Sequence, residues 1–479
     1  MRSRASRREV LAGLGVGVAA SLAGCESLPL VGGGGSASAI AATAWPSHRG
    51  TSGATGYSAT EGPGPGATKA FTADLKRGFS VGYRAPMIGS DGIYTIGKDP
   101  KAYERDPVMF SIHAAKHSIE DGRELWRTEV ASATEADTLA KREDKQAFKL
   151  IGRPQGTLGP DALYAINHNT KEGIYEVFAL SRNDGSVRWT ADIDAGQARP
   201  KPPVVSDGTF YQLLSEQLLA LDTSDGSERW RVEGDTNQPV PSVSPDGVAL
   251  YAIGKGNLRL IDPETGDERW SKPVPTSFRP IPTVAGDTVY FAEGEWLNSD
   301  RGGDGDRKKI LALNLQDGSE RWTHTYETDA MANARGFAGT STVTVTESRV
   351  YYGLLSTSPT EIVDKEEPSD EELQHAREEL YDGPNVFALD SSDGSISWKT
   401  TVGSIGRIWS PMVAGPDNLY GLRKGVGAKD EEREIRVIDR GDGTVKGSIG
   451  PLKKDSRGGF GVADGTLYTR EQESVTAWR

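Results

Sequence analysis

Short runs of alternating apolar and polar residues recur along the chain, separated by turns rich in Asp and Gly. One phrase is clearest at residues 220–230 (ALDTSDGSERW): an apolar strand end, an Asp-Gly turn and a short strand ending in tryptophan. Similar phrases occupy residues 179–189, 260–270, 312–322 and 388–398, with a looser copy at 117–126 and one at 437–447 that has lost its tryptophan. Period-2 alternation predicts β-strands, and Asp-Gly predicts hairpins because the glycine can adopt positive φ.

A second phrase precedes each copy of the first, a small turn followed by a strand that contains tyrosine. Asp207 to Tyr211 and Asp464 to Tyr468 are examples, and eight such units can be counted. A unit of this size cannot close its own core, so the repeats must stack on one another. The sequence therefore predicts an all-β fold, an eight-bladed β-propeller with four-stranded antiparallel blades, over residues 67–479.

The ends of the repeat array predict how the ring closes. The last unit stops after its third strand, at residues 474–478, and lacks an Asp-Gly-x-x-x-Trp strand. Residues 68–75 alternate, with Phe71 where the repeat tryptophan would stand. This N-terminal strand is expected to complete the last blade, which hides sheet edges that an open array would expose.

The repeat tryptophans are interpreted as structural side chains that fasten one blade to the next. A tryptophan buries a large apolar area, and the outer strand places it between neighbouring sheets. The predicted docking residues are Phe71, Trp126, Trp189, Trp230, Trp270, Trp322 and Trp398.

Residues 1–24 are predicted to be a twin-arginine lipoprotein signal peptide. Arg7 and Arg8 open it, and an apolar run, residues 11–20, follows. Leu22-Ala23-Gly24-Cys25 resembles a lipobox, which would make Cys25, the single cysteine, the lipidated first residue of the mature chain. The alternative is a simple secretory signal with an incidental cysteine. The expected location is the cell surface or cell membrane, facing outside.

Residues 25–66 are interpreted as a lipid-anchored flexible tether and an irregular lead-in packed on the outside of the propeller. Gly32 to Ala42 is rich in glycine and small residues, which is typical of a flexible linker.

The charge balance excludes some partners. The net charge is −13, and removal of residues 1–24 leaves 67 acidic and 51 basic residues, a net −16. An acidic surface disfavours nucleic acid, so none is expected as a partner, and the membrane would be reached through the lipid anchor.

The pattern Ala-x-Asp-x-x-x-Gly-x-x-x-Trp resembles the tryptophan-docking motif of the pyrroloquinoline quinone (PQQ) repeat family, over about Phe71 to Arg479. This resemblance implies an eight-bladed propeller. Members with PQQ and calcium are alcohol or sugar dehydrogenases. Others, including the propeller lipoprotein of the barrel-assembly machine, bind no cofactor and act as scaffolds. This chain has neither the vicinal disulfide nor the haem-attachment motif of the enzymes, so we expect no cofactor, no catalytic residue and no metal site.

Seven units carry an arginine just before their predicted innermost strand. In a closed ring these side chains would form a positive collar at one mouth of the channel, suited to an anion because guanidinium groups bind carboxylates well. The alternative is that each arginine pairs with neighbouring carboxylates or backbone carbonyls. The seven residues are Arg84, Arg153, Arg199, Arg279, Arg335, Arg407 and Arg457.

Three functions remain open on the sequence. The first is a protein-binding or assembly scaffold, monomeric and contacting other exported or membrane proteins. The second is a PQQ-dependent oxidoreductase with PQQ and calcium in the channel. The third is binding of a small anion or sugar in the channel.

Overall fold

The computed structural model describes a large part of the chain after residue 49. The described residues are 50, 54, 56–75, 86–99, 111–132, 155–169, 174–194, 201–214, 217–233, 241–244, 246–252, 257–274, 281–292, 295–297, 309–325, 336–338, 342–353, 369, 371–372, 384–402, 412–424, 433–453, 459–471 and 473–479. They contain no helix long and apolar enough to cross a bilayer.

Within these residues, all but two of the strands belong to eight four-stranded antiparallel sheets, the blades, numbered I to VIII, so the predicted fold class is confirmed. Blades I to IV, each written from the innermost to the outermost strand, are β2 (Met87–Gly89), β3 (Gly92–Asp99), β4 (Ser111–His117), β5 (Glu124–Ser132); β6 (Gln155–Leu158), β7 (Ala162–Asn169), β8 (Ile174–Ser181), β9 (Val187–Asp194); β10 (Val204–Ser206), β11 (Thr209–Leu213), β12 (Gln217–Asp222), β13 (Glu228–Glu233); and β14 (Ser242–Ser244), β15 (Gly247–Ala252), β16 (Asn257–Ile261), β17 (Glu268–Pro273).

Blades V to VIII follow the same order, and blade VIII takes its outermost strand from the N-terminal part of the chain. They are β18 (Thr283–Ala285), β19 (Thr288–Ala292), β21 (Lys309–Asn314), β22 (Glu320–Thr325); β24 (Thr344–Val345), β25 (Arg349–Gly353), β26 (Val386–Asp390), β27 (Ile396–Thr400); β28 (Val413–Ala414), β29 (Asn418–Lys424), β30 (Arg433–Asp439), β31 (Val445–Leu452); and β32 (Phe460–Ala463), β33 (Thr466–Arg470), β34 (Ser474–Trp478), β1 (Lys69–Asp74). A two-stranded sheet pairs β20 (Glu295–Leu297) with β23 (Gly336–Ala338).

Each blade has two chemically different ends. The turn face is the end that carries the turns between the first and second strands and between the third and fourth strands, residues 207–208 and 223–226 in blade III. The loop face is the opposite end, where the second strand leads to the third and the fourth strand leads to the next blade.

Strand β1 completes blade VIII as the sequence predicts. Phe71 pairs with Ala477, just as Trp230 pairs with Ala220 in blade III. Thr68 and Arg479 exchange two backbone hydrogen bonds of 2.8 and 3.0 Å, in the place of the bond between Asp222 and Ser227. The two ends of the array therefore form one blade, and ring closure needs no additional strand.

The hydrophobic core lies between the blades rather than inside any one of them. The cluster between blades II and III, for example, joins Tyr164 and Val177 to Phe210 and Leu219. Similar clusters lie at the other junctions, and the largest connects blades VII, VIII and I. A blade alone would leave both of its apolar faces in water, so stability depends on the junctions.

The six repeat tryptophans each dock on the following blade. Their indole Nε1–H groups donate to a backbone carbonyl there at 2.9–3.1 Å: Trp126 to Arg182, Trp189 to Thr223, Trp230 to Pro263, Trp270 to Leu315, Trp322 to Ser391 and Trp398 to Arg440. The indole rings lie on the glycine of the turn between the third and fourth strands of that blade. A Cβ added to Gly226 would stand 2.6 Å from the ring of Trp189, and its φ of +79° also favours glycine.

Trp230→Ala tests the contribution of one junction. The change removes the ring from Gly266 and Tyr211 and the hydrogen bond to Pro263. We expect the free energy of unfolding, measured by urea titration, to fall by about 3–5 kcal/mol. Val187→Ala, on a side chain 48% exposed, is the control and should change stability by less than about 0.5 kcal/mol. Equal effects of the two changes would contradict the docking role.

Candidate functional site

The central channel is entered by a segment of the lead-in. Tyr57 forms a parallel bridge with Ala414, on the innermost strand of blade VII, β28. The Ala414 amide donates to the carbonyl of Gly56 at 2.9 Å, and the Ser58 amide donates to the carbonyl of Ala414 at 2.8 Å. Residues 56–58 therefore act as a further strand on the channel side of blade VII.

Ala54 extends this contact to the other side of the ring. Its side chain is 2% exposed, and it belongs to the cluster that contains Val204 and Val243 of the innermost strands of blades III and IV. Ala54 and Tyr57 therefore contact opposite sides of the ring while lying within about 10 Å of each other, the greatest span of three residues. The prediction that the lead-in packs on the outside is wrong for these residues. Irregular segments carry no periodic pattern, so the sequence could not show this placement.

Glu61 fixes the lead-in where it leaves the channel. Its carboxylate accepts the Tyr420 hydroxyl at 2.6 Å, the Asn418 side-chain amide at 3.0 Å and the backbone amide of Asp417 at 2.5 Å. Burial and the neighbouring Glu61 charge both raise the pKa of Tyr420, so the phenol stays protonated and donates. Gly62 is required beside it, since a Cβ there would stand 2.6 Å from the Tyr420 hydroxyl.

The lead-in then replaces the missing tryptophan of blade VII. Gly447 stands opposite Val437, in the register of the repeat tryptophan. A Cβ on Gly447 would lie 2.7 Å from the Pro65 ring, and the amide of Gly66 donates to the carbonyl of Ser448 at 2.9 Å. Blade VIII has no Asp-Gly turn before its outermost strand, so a tryptophan at 447 would find no turn glycine to rest on. Pro65 and Gly66 fill that junction instead.

The described innermost strands offer no charged side chain to PQQ or calcium. Within the bounds given above, the eight innermost strands carry no ionisable residue, whereas a carboxylate-bearing cofactor and its cation need charged partners. The backbone of residues 56–58 also occupies the blade VII side of the channel. Among the described residues no group of three His, Cys, Asp or Glu side chains could hold a metal ion. The expectation that no cofactor binds stays a prediction.

The predicted arginine collar lies outside the described residues, all seven members included. The same is true of Arg7, Arg8 and Cys25. The anion site and the lipid anchor therefore stay predictions.

A charged node that the sequence did not predict joins blades I and II at the turn face. The Asp91 carboxylate accepts the Lys116 ammonium and the Tyr94 hydroxyl, each at 2.7 Å, and also the Arg182 guanidinium. Arg182 donates further to the carbonyls of Gly159 and Pro160. Both cations are buried, and burial alone would raise the pKa of Asp91. The hydrogen bonds from Lys116 and Arg182 outweigh burial and hold it below its ordinary value.

The signal for this node was a departure from the repeat. Lys116 pairs with Trp126, a register position that alanine holds in blades II, III, V and VI. A lysine in place of a small core residue needs a partner, which Asp91 supplies.

Comparison with known proteins supports the fold. A family model described as outer membrane protein assembly factor BamB matches residues 175–400. No curated protein matches the sequence. BamB from Moraxella catarrhalis is 14% identical with a TM-score of 0.51, covering 86% of this chain and 97% of that one. The quinohemoprotein alcohol dehydrogenase from Comamonas testosteroni is 11% identical with a TM-score of 0.53, and the match covers 91% of this chain and 80% of the dehydrogenase chain. The predicted resemblance to PQQ-type eight-bladed propellers is confirmed, and identities this low show the fold alone.

Glu61→Ala should loosen the lead-in. The change leaves the amides of Asp417 and Asn418 without their acceptor and reduces the Tyr420 hydroxyl to the Pro63 carbonyl at 3.2 Å, which costs about 1–3 kcal/mol. We expect faster hydrogen exchange at the Ser58 and Ala414 amides. Glu264→Ala, in an exposed turn of blade IV, is the control, and unchanged exchange in Glu61→Ala would contradict the anchoring role.

Asp91→Asn should alter the acid sensitivity of the I–II junction. Because the folded pKa of Asp91 is lowered, its stabilising effect is complete above the unfolded pKa and is lost as pH falls through the folded value. The melting temperature of the wild-type chain should exceed that of Asp91→Asn at neutral pH. This difference in melting temperature should shrink below about pH 4. Asp161→Asn, at the equivalent turn of blade II, is the matched control. A gap that does not change with pH would contradict the assignment.

Proposed function

We propose that the chain is an exported, lipid-anchored β-propeller that acts as a protein-binding or assembly scaffold at the cell surface. The observation that carries this proposal is the occupied channel. Ala54 and residues 56–58 lie where a propeller of this kind would admit a small molecule. Binding would then fall to the outer faces, where a protein partner can bury the area that a stable complex needs.

Two further features support the proposal. The family model that matches residues 175–400 carries the description of an outer membrane assembly factor. Export and anchoring rest on the sequence, on Arg7 and Arg8 for the twin-arginine route and on Cys25 for the lipid. A fold shared with dehydrogenases does not transfer their activity, because function depends on the residues of a site.

Calorimetric titration of the chain from Cys25 to Arg479 with PQQ, in the presence of calcium, tests the channel. We expect no saturable heat, because the described wall offers no charged partner for the cofactor. One-to-one binding accompanied by dye reduction with alcohols or sugars would contradict the proposal and favour the oxidoreductase.

Cross-linking on intact cells tests the scaffold itself. We expect a discrete adduct with another exported or membrane protein. The cross-linking is repeated with a chain that lacks residues 298–308 in blade V and with one that lacks residues 356–383 in blade VI. Each deletion is the control for the other, provided that both chains have the melting temperature of the wild type. Recovery of the uncross-linked monomer alone would count against a scaffold.

A further inference from the structure

An arginine of blade VII stands where four other blades carry a large apolar residue. Arg436 precedes Val437, which pairs with Gly447 in the register of the repeat tryptophan. The same position in blades II, III, V and VI is held by Phe178, Leu219, Leu311 and Phe387. A guanidinium group at a position of this kind needs partners for its charge, because a charge that is taken out of water is costly.

Arg436 faces blade VI together with Arg423 and Glu434. Leu419 and Ile438, on strands β29 and β30, belong to the apolar cluster between blades VI and VII. Successive side chains of a strand point to opposite faces, and the three charged residues lie two or four positions from these two. Arg423 and Glu434 also stand opposite each other in the register. All three side chains therefore lie on the face of blade VII that is turned towards blade VI.

Two guanidinium groups share a single carboxylate oxygen on this face. Glu434 Oε1 accepts a hydrogen bond from Arg423 Nη1 at 2.8 Å and lies 3.1 Å from Arg436 Nη2. Among the described residues Glu434 is the one carboxylate that pairs with either arginine, and Arg436 Nε, which is shielded from solvent, has no acceptor. Burial raises the pKa of Glu434, but hydrogen bonds from Ser448 and Arg423 hold that pKa below its ordinary value, so the carboxylate is charged at neutral pH. One positive charge is left without a counter-charge.

The described residues of blade VI supply no second carboxylate to this group. Towards the loop face, blade VI turns Val386 and Thr400 to blade VII; they pair with each other and are uncharged. Asp390 lies at the other end of the same strand, at the turn face, where its Oδ2 is 3.6 Å from Arg349 Nη1. The side chains of the two blade VII arginines are 39% and 25% exposed, so a solute can reach them.

We propose that Arg423 and Arg436 bind one carboxylate group of a ligand at the junction between blades VI and VII. A single carboxylate matches the single uncompensated charge. The planar guanidinium group also presents its hydrogen-bond donors in the geometry that a carboxylate accepts. An acidic segment or the C-terminus of a protein carries this chemistry, and its use as a partner contact rests on the proposed scaffold function.

N-acetylglycine tests the site as a probe, and N-acetylglycinamide, which lacks the charge, is its matched control. The melting temperature of the chain is measured against the concentration of each probe at constant ionic strength, which holds general salt effects fixed. We expect a saturable rise with the acid and none with the amide, because a ligand that binds only the folded chain stabilises it. Equal shifts with both probes would overturn the proposal.

Arg436→Gln should weaken the binding of N-acetylglycine at least about 10-fold, because a charge-assisted hydrogen bond is lost. Arg259→Gln is the matched control. Arg259 holds the same register position in blade IV, but it forms an ion pair with a carboxylate of its own, Glu268, so its replacement should leave the affinity unchanged. Equal weakening in both variants, or none in Arg436→Gln, would contradict the assignment.

Glu434→Gln should change the affinity in the opposite direction. The variant removes the carboxylate that competes for both arginines, so the binding of N-acetylglycine should tighten by at least about fivefold. A purely structural role of the three side chains predicts a lower melting temperature and no tightening, and that result would overturn the proposal. Arg423→Gln, which must weaken binding, decides the matter if Glu434→Gln does not fold. None of these titrations involves a protein partner, so the site and the scaffold function can fail separately.

Discussion

The contact between an indole ring and a bare glycine of the next blade is the interaction on which the structure depends. Trp189 on Gly226 shows the constraint on the glycine: the ring fills the junction, and a Cβ on Gly226 would collide with it. The Nε1–H group of the same indole binds the carbonyl of Thr223, which fixes the height of one blade against the next. Phe71 takes the place of the indole at the junction of blades VIII and I, where its ring lies on Gly122. Repetition of this contact turns eight sheets, each with two apolar faces, into a ring with continuous cores.

That rule fails at one junction, and the failure explains the lead-in. Blade VIII is assembled from two distant parts of the chain, so an exchange between Thr68 and Arg479 stands where the other blades have a tight turn with a glycine. A tryptophan in blade VII would have no turn glycine beneath it, and Gly447 stands there instead. Pro65 packs against Gly447, and the amide of Gly66 donates a hydrogen bond to the carbonyl of Ser448. Pro65 and Gly66 of the lead-in are thus a part of ring closure.

The sequence predicted the parts of the structure that repeat. The alternating strands, the Asp-Gly turns, the docking tryptophans and the use of Phe71 in the last blade all follow from one pattern compared with its own copies. Ala54 and Glu61 could not be predicted, because an irregular segment has no second copy that would reveal its contacts. Lys116 was visible as an exception to the repeat, but its neighbour Arg182 lies in another blade, and only the fold brings them together. The arginine collar lies outside the described residues, so its prediction stands untested.

Backbone of the chain itself lies against the channel wall at Ala54 and at residues 56–58, which changes what the fold can do. Ala54 adopts φ of +57°, a conformation that costs free energy in a residue with a side chain. The surrounding cluster of blades III and IV and the pairing at Ala414 must offset that cost, so the segment is held by packing on both sides of the ring. A small ligand would share the channel with these contacts, and the described innermost strands offer it no ionisable side chain. A protein partner faces no such competition, because it meets turns and strand edges that the ring already holds rigid.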